Sequence, residues 1–296
     1  MSERFGSMQY LTRTVLSYAF ECLPEVMIRM QCRQLVEAVD HSAGNTPCGQ
    51  PVTSLYMDGS TDTNAAIWKS DEVIQHWAAD ADKRELKRAE HRRLMGELLP
   101  FTEHDAFTFL DLGAGTGAAA RGLLGMYPRS TAILADFSPQ MMGEGAQQMQ
   151  AFAGRFEYVE YDMSTGDWPA AIPGKLDAVV TSMSIHHLPD PRKQGLFGEI
   201  FEHLVPGGWY LNYDPVSSAD PVVERTWERI NDQHDPEAAS KRLNRSPQEL
   251  SRHENHVRYL IPLEQHLQYL RAAGFQGIDV YWKHLENVIY GGCRPA

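Results

Sequence analysis

The sequence predicts an α/β fold: a mostly parallel sheet with helices on both faces, a terminal antiparallel hairpin and an added helical cap. Three observations predict it. An apolar run from Phe107 to Leu112 breaks into Gly113-Ala114-Gly115-Thr116-Gly117, with glycine at every second position. Short apolar stretches then alternate with helix-length stretches as far as residue 213. Two further β-rich stretches, 275–283 and 287–290, lie close together near the end, which suits a hairpin.

Taken in order, residues 1–40 read as helical. Leu11, Val15, Ala19 and Leu23 recur at helical spacing, Pro24 interrupts, and Val26, Met30, Leu35 and Val39 continue. His41 to Thr63 is rich in Gly, Ser, Thr, Asn and Pro and reads as a long loop. Residues 67–99 return to helix, with Trp68, Val73, Trp77, Leu86, Leu94 and Leu98 as candidate core positions. The charged stretch from Asp80 to Arg93 is read as a solvated helix face. Residues 1–105 are therefore assigned to an N-terminal helical cap and substrate region, and 106–296 to the sheet domain.

Within that domain the predicted strands are 107–112, 131–136, 155–161, 176–182 and 209–213, followed by the two strands of the hairpin. Helices are expected over 116–127, from about Pro139, and over 192–204 and 262–273. Pro206-Gly207-Gly208 is expected to separate the 192–204 helix from the fifth strand. Residues 216–258 are polar and charged, with few large apolar positions, and read as a helical insertion that completes the cap.

Composition removes several classes of function. With 43% hydrophobic residues in 296, the chain can bury a sizeable core. The net charge of -12 and pI of about 5.4 count against a phosphate-backbone partner. The four cysteines (Cys22, Cys32, Cys48, Cys293) have no close metal-ligand spacing and are expected to be reduced thiols. Arg13 and Glu21 interrupt the apolar N-terminal stretch, so neither a leader nor a membrane span is expected, and the location expected is the cytoplasm.

The glycine turn alone is compatible with several nucleotides. Three acids sharpen it. Asp111 directly precedes the glycines, where it suits a cationic, phosphate-free group such as an amino-acid ammonium rather than a pyrophosphate. The third glycine of a dinucleotide fingerprint would fall at 118, which is Ala118. Asp136 ends the second strand, where a carboxylate can accept from a ribose diol. Asp162 follows the third strand beside Met163, placed to meet the edge and face of an adenine. Any one acid could be a cap or turn former; three at the ends of successive strands are harder to explain that way.

Leu110-Asp111-Leu112-Gly113-Ala114-Gly115-Thr116-Gly117, Asp136, Asp162-Met163 and Leu176-Asp177-Ala178-Val179-Val180 together resemble the class I S-adenosylmethionine-dependent methyltransferases. Ser184-Ile185-His186-His187-Leu188 and Leu204-Val205-Pro206-Gly207-Gly208 are similar to that superfamily's fourth- and fifth-strand motifs. The resemblance covers about residues 65–296 and leaves 1–64 without a counterpart. It implies a Rossmann-like seven-stranded sheet and S-adenosyl-L-methionine as cofactor, with S-adenosyl-L-homocysteine as product. It further implies that Gly113, Ala114, Gly115 and Gly117 bed the methionine portion and that Asp111 faces its ammonium. Asp136 would hold the ribose, Phe137 would pack on adenine, and Asp162 with Met163 would read its edge. Ser182 would border the methyl-transfer end, and His187 is read as a structural residue under the cofactor.

A sulfonium methyl needs alignment and exclusion of water more than it needs a catalyst. A base is required only where the acceptor must lose a proton, and His186, just past the fourth strand, is the candidate. Trp68, Tyr213, Asp214, Trp227 and Trp282 are candidate walls of a substrate pocket. Arg252, His253, His256 and Arg258 are read as a solvated helix face, and the His253-x-x-His256 spacing is set aside as a metal site for lack of partners, so no metal is expected. The expected function is methyl transfer to a small molecule, with O or N favoured over C, and a homodimer is kept among the partner expectations. The rivals are a tRNA or protein methyltransferase, a nicotinamide-dependent dehydrogenase and a non-catalytic S-adenosylmethionine-binding protein.

Overall fold

The computed structural model describes residues 81–296, with backbone alone at 81–87, 248, 251 and 252. Trp68 and the expected helices and loop of residues 1–80 lie outside the described residues. The described chain runs α1 (Ala81–Leu98), β1 (Thr108–Leu112), α2 (Ala118–Met126), β2 (Thr131–Asp136), α3 (Pro139–Gln148) and β3 (Phe156–Glu160). It continues with β4 (Leu176–Ser182), α4 (Asp190–His203), β5 (Leu204–Pro215), α5 (Pro221–His234), α6 (Pro236–Leu243) and α7 (Pro247–Val257). It ends with α8 (Leu263–Ala273), β6 (Gln276–His284) and β7 (Asn287–Cys293). A short 3-10 turn, Ile185–His187, lies between β4 and α4.

The seven strands form one sheet in the order β3-β2-β1-β4-β5-β7-β6. The first five are mutually parallel and β7 runs against both of its neighbours, as the Rossmann-like expectation with a terminal hairpin requires. Alternation of side chains sorts β1 cleanly. Leu110 and Leu112 enter a core that includes Leu196, Phe197 and Ile200 of α4 and Leu267 and Leu270 of α8. Phe109 faces the other way, into a core with Met95 of α1 and Ala120, Leu123 and Leu124 of α2. Both faces are thus covered, which is why the parallel strands read as continuous apolar runs. The last helix of the 1–105 segment contributes to the sheet's own core through Met95.

One boundary differs in kind. Pro206-Gly207-Gly208 does not end before the fifth strand but lies inside β5. Leu176 pairs with Leu204 and Ala178 with Trp209, so a bulge absorbs the intervening residues. The end of the chain pairs with this bulge: the Gly207 amide donates to the Arg294 carbonyl at 2.9 Å and the Arg294 amide donates to the Gly208 carbonyl at 2.8 Å. A proline is tolerated where the ladder is already interrupted.

The 216–258 insertion is helical, as expected. Asp220, Asp235 and Ser246 each cap a helix whose first turn holds proline, and Ser246 with Glu249 forms a reciprocal capping box. Among the described residues, no helix is long and apolar enough to cross a membrane.

Candidate functional site

The glycine turn connects β1 to α2 at the carboxyl edge of the sheet. The amides of Gly113 and Ala114 both donate to the Ala135 carbonyl, at 2.8 and 3.0 Å, which ties the turn to the end of β2. Gly113 has φ 73°, and a Cβ there would lie 2.6 Å from Met163 Cε and from Ser184 Cβ. Glycine is needed at this position for backbone conformation and for space. Gly117, also left-handed at φ 75°, stands at the N-cap of α2.

The three acids surround this turn. Asp111 is buried, and its Oδ2 accepts from the Ala120 amide of α2 at 3.0 Å. Burial pushes its carboxyl up to about 7, against the opposing pull of that amide. Asp136 accepts from the Gly115 amide at 2.7 Å with one oxygen and from the Ser138 amide at 2.9 Å with the other. Burial raises its pKa as well, while those amides work in the opposite direction. Asp162 is half-buried and accepts from the Ser164 amide at 2.9 Å, while Met163 is buried against the turn. Phe137 is half-buried directly after Asp136. Asp111, Asp136, Asp162, Met163 and the three glycines thus converge on one edge.

A second cluster lies at the ends of β4 and β5. Asp214 is fully buried and binds His186 twice, accepting from its backbone amide at 2.8 Å and pairing with Nδ1 at 2.7 Å. The carboxylate assigns the proton of His186 to Nδ1. Its Nε2 lies 3.2 Å from Nδ1 of His256, a residue of α7 in the insertion. The His187 ring lies 3.9 Å from that of His186, centroid to centroid. Burial pulls His186 down to about 3, His187 to about 2 and His256 to about 4, so all three are neutral near pH 7. Burial raises Asp214 to about 6, which leaves it ionised there.

In the fold, Nδ1 of His186 is held by Asp214 and its Nε2 faces His256 Nδ1, so the base candidate points at the insertion. Strand alternation turns Asp214 inward to His186, while its neighbour Tyr213 faces the opposite side of the sheet. Tyr213 there joins His91 and Trp282, with His91 ring centroids 5.0 and 4.0 Å away respectively. Trp227 is not part of that aromatic group and packs under the Lys283 ammonium, 4.5 Å from its ring centroid. Ser182 is half-buried at the end of β4, paired in register with Tyr213. His256, read as part of a solvated helix face, instead faces inward.

Lys193 has no counterpart among the residues that the sequence singles out. It is fully buried on α4, donating to the Leu188 carbonyl at 2.7 Å and to the Tyr259 carbonyl, and so joins the 3-10 turn to the chain after α7. Burial lowers its ammonium to about 8. A lysine two residues after a proline in a helix's first turn carries no local signal of this role.

Residues 109–208, the stretch from β1 into β5, match a family model described as a methyltransferase domain. Residues 109–208 thus carry a methyltransferase domain. The chain is 29% identical over 171 residues to a release factor glutamine methyltransferase of Koribacter versatilis (strain Ellin345), covering 48% of this chain and 59% of that relative. Its fold is similar to that of an O-methyltransferase family protein from Burkholderia thailandensis, with TM-score 0.55 and 18% identity over 77% of this chain and 62% of that one. Human N-acetylserotonin methyltransferase in complex with S-adenosylmethionine gives TM-score 0.50 and 16% identity, over 80% and 60% of the two chains. The chain thus spans about six tenths of the length of these relatives.

Proposed function

We propose that this protein transfers the methyl group of S-adenosylmethionine to an oxygen or nitrogen of a small molecule. The observation that carries the reading is the convergence of Asp111, Asp136 and Asp162 on the glycine turn between β1 and α2. Carboxylates suit the ammonium, the ribose diol and the exocyclic amine of such a cofactor, and they would repel the phosphates of a dinucleotide.

When bound, the cofactor supplies a sulfonium methyl already activated for in-line displacement. The protein's residues bind and orient. Gly113, Ala114, Gly115 and Gly117 would bed the methionine portion beside Asp111. Asp136 would hold the ribose, Phe137 and Met163 would pack on the adenine, and Asp162 would accept from its amine. Ser182 and the 3-10 turn would border the reacting end. The insertion α5–α7 lies over that turn through His256 and would help to exclude water from it.

A small-molecule acceptor is favoured by the acidic charge and by the folds of the O-methyltransferase family protein and the N-acetylserotonin methyltransferase. A protein side-chain amide is the second reading, favoured by the release factor glutamine methyltransferase relative. Calorimetry with S-adenosylmethionine, followed by detection of S-adenosylhomocysteine across panels of phenols, amines and glutamine-bearing peptides, tests both. Binding of NAD in place of S-adenosylmethionine would refute the cofactor assignment. Turnover on peptides alone would refute the small-molecule acceptor.

A further inference from the structure

The three imidazoles beside the candidate site are arranged in a way that methyl transfer itself does not require. We infer that His186, His187 and His256 form a binding site for one divalent transition-metal ion of the zinc type. The ligand atoms of these residues all lie within 4.8 Å of one another. His186 Nε2 and His256 Nδ1 are 3.2 Å apart, close to the separation of about 3.3 Å that two nitrogens adopt when each lies about 2.0–2.1 Å from a tetrahedral ion. His187 completes a third corner from the same 3-10 turn as His186.

The donor set has the required chemistry. Imidazole is a borderline ligand suited to zinc, iron, nickel and copper, and it binds in its neutral form. Behind the ligands, Asp214 accepts from Nδ1 of His186 at 2.7 Å and from its backbone amide at 2.8 Å. A carboxylate on the far nitrogen fixes the ring's tautomer and orientation and raises the basicity of the ligating nitrogen. Asp214 also contributes a negative charge that offsets the cation.

Three protein ligands leave a tetrahedral ion one open position, the pattern of reactive rather than purely structural sites. Water or an oxygen or nitrogen of a bound molecule would fill it. His256 comes from the insertion and the other two ligands from the sheet domain, so a bound ion would also clamp α7 onto the end of β4. Metal binding at these three histidines does not depend on methyl transfer at the neighbouring edge.

The test is a metal titration of the full chain, purified without a polyhistidine tag and stripped by chelation. Zinc binding is followed by calorimetry, and cobalt(II) binding by its visible d–d absorption. One saturable equivalent of zinc and the intense bands of a low-coordinate cobalt centre are expected. His256→Gln and His187→Gln should each weaken zinc binding at least ~10-fold, and Asp214→Asn should weaken it roughly 10- to 100-fold. His253→Gln, one turn away on α7, should leave it unchanged. Absence of saturable binding, or binding that survives both ligand substitutions in folded protein, overturns the site. His256 lies on a half-exposed helix, so its variant keeps the test decisive where the buried Asp214 variant does not fold. S-adenosylmethionine binding, measured separately on the stripped protein, distinguishes failure of the metal site from failure of the methyltransferase reading.

Discussion

Asp136 closes the glycine turn it faces: its Oδ2 accepts from the Gly115 amide at 2.7 Å, joining the end of β2 to the turn after β1. Its other oxygen caps the backbone at Ser138, at the entrance to α3. The same carboxylate braces the turn and, under the proposed function, would also hold the cofactor. Asp136→Asn is expected to weaken S-adenosylmethionine binding by about 1–3 kcal/mol, the cost of unmaking charge-assisted hydrogen bonds. Calorimetry on a variant with unchanged circular dichroism checks this, and an unaltered dissociation constant would refute the ribose role.

Gly113 should tolerate no side chain. Its φ of 73°, and the 2.6 Å that would separate an added Cβ from Met163 Cε and Ser184 Cβ, leave an alanine both strained and crowded. Gly113→Ala is expected to destabilise the fold by ~1–3 kcal/mol and to displace Met163 from the cofactor site. Urea unfolding gives the first effect and cofactor titration the second. Wild-type values in both measurements would contradict the packing described.

Asp111 makes stability depend on pH. Its carboxyl is raised to about 7 in the fold from 3.8, chiefly by burial. Between those values the folded state holds a proton that the unfolded chain has released, so this group's contribution to stability falls as pH rises from about 4 to about 7. Asp111→Asn removes that decline. The variant should match the wild type near pH 4 and exceed it at pH 8, by on the order of a few kcal/mol in the absence of cofactor. Chemical denaturation at the two pH values measures the difference, and parallel pH profiles for the two proteins would sink the assignment. The ammonium of the cofactor favours the ionised carboxyl, so binding below about pH 7 should release protons, detectable by calorimetry in buffers of different ionisation enthalpy.

Tyr290 anchors a buried polar chain beneath β5 and β7. Its hydroxyl pairs with His266 Nδ1 at 2.7 Å and accepts from Asn212 Nδ2 at 2.8 Å, and Asn212 in turn accepts from Thr181 at 2.6 Å. Tyr290→Phe keeps the ring's packing and leaves two buried groups without their partner. A loss of about 1–3 kcal/mol in urea unfolding is expected. A change within ~0.5 kcal/mol, typical of surface positions, would mean the chain is not satisfied as described.

Much of this molecule is local and was therefore readable from residue order alone. Apolar runs of strand length, the glycines at 113, 115 and 117 and the acids at strand ends encode backbone preference and exposure within a few residues of themselves. They determined the strands and where a cofactor edge was to be expected. β5 resisted because its bulge is stabilised by pairing with Arg294, at the far end of the chain, which no window around Pro206-Gly207-Gly208 contains.

The histidine cluster was decided by tertiary structure only. His186 and His187 follow β4, Asp214 lies 28 residues beyond His186, and His256 lies 70 beyond it. In sequence His256 belongs to a charged helix and Asp214 stands beside Tyr213. Only the sheet's alternation, which sends Tyr213 to the α1 face and Asp214 to the α4 face, and the return of α7 over the 3-10 turn bring these side chains together. A strand's pattern shows that neighbouring residues diverge. Which partner waits on each face is set by the packing of distant helices.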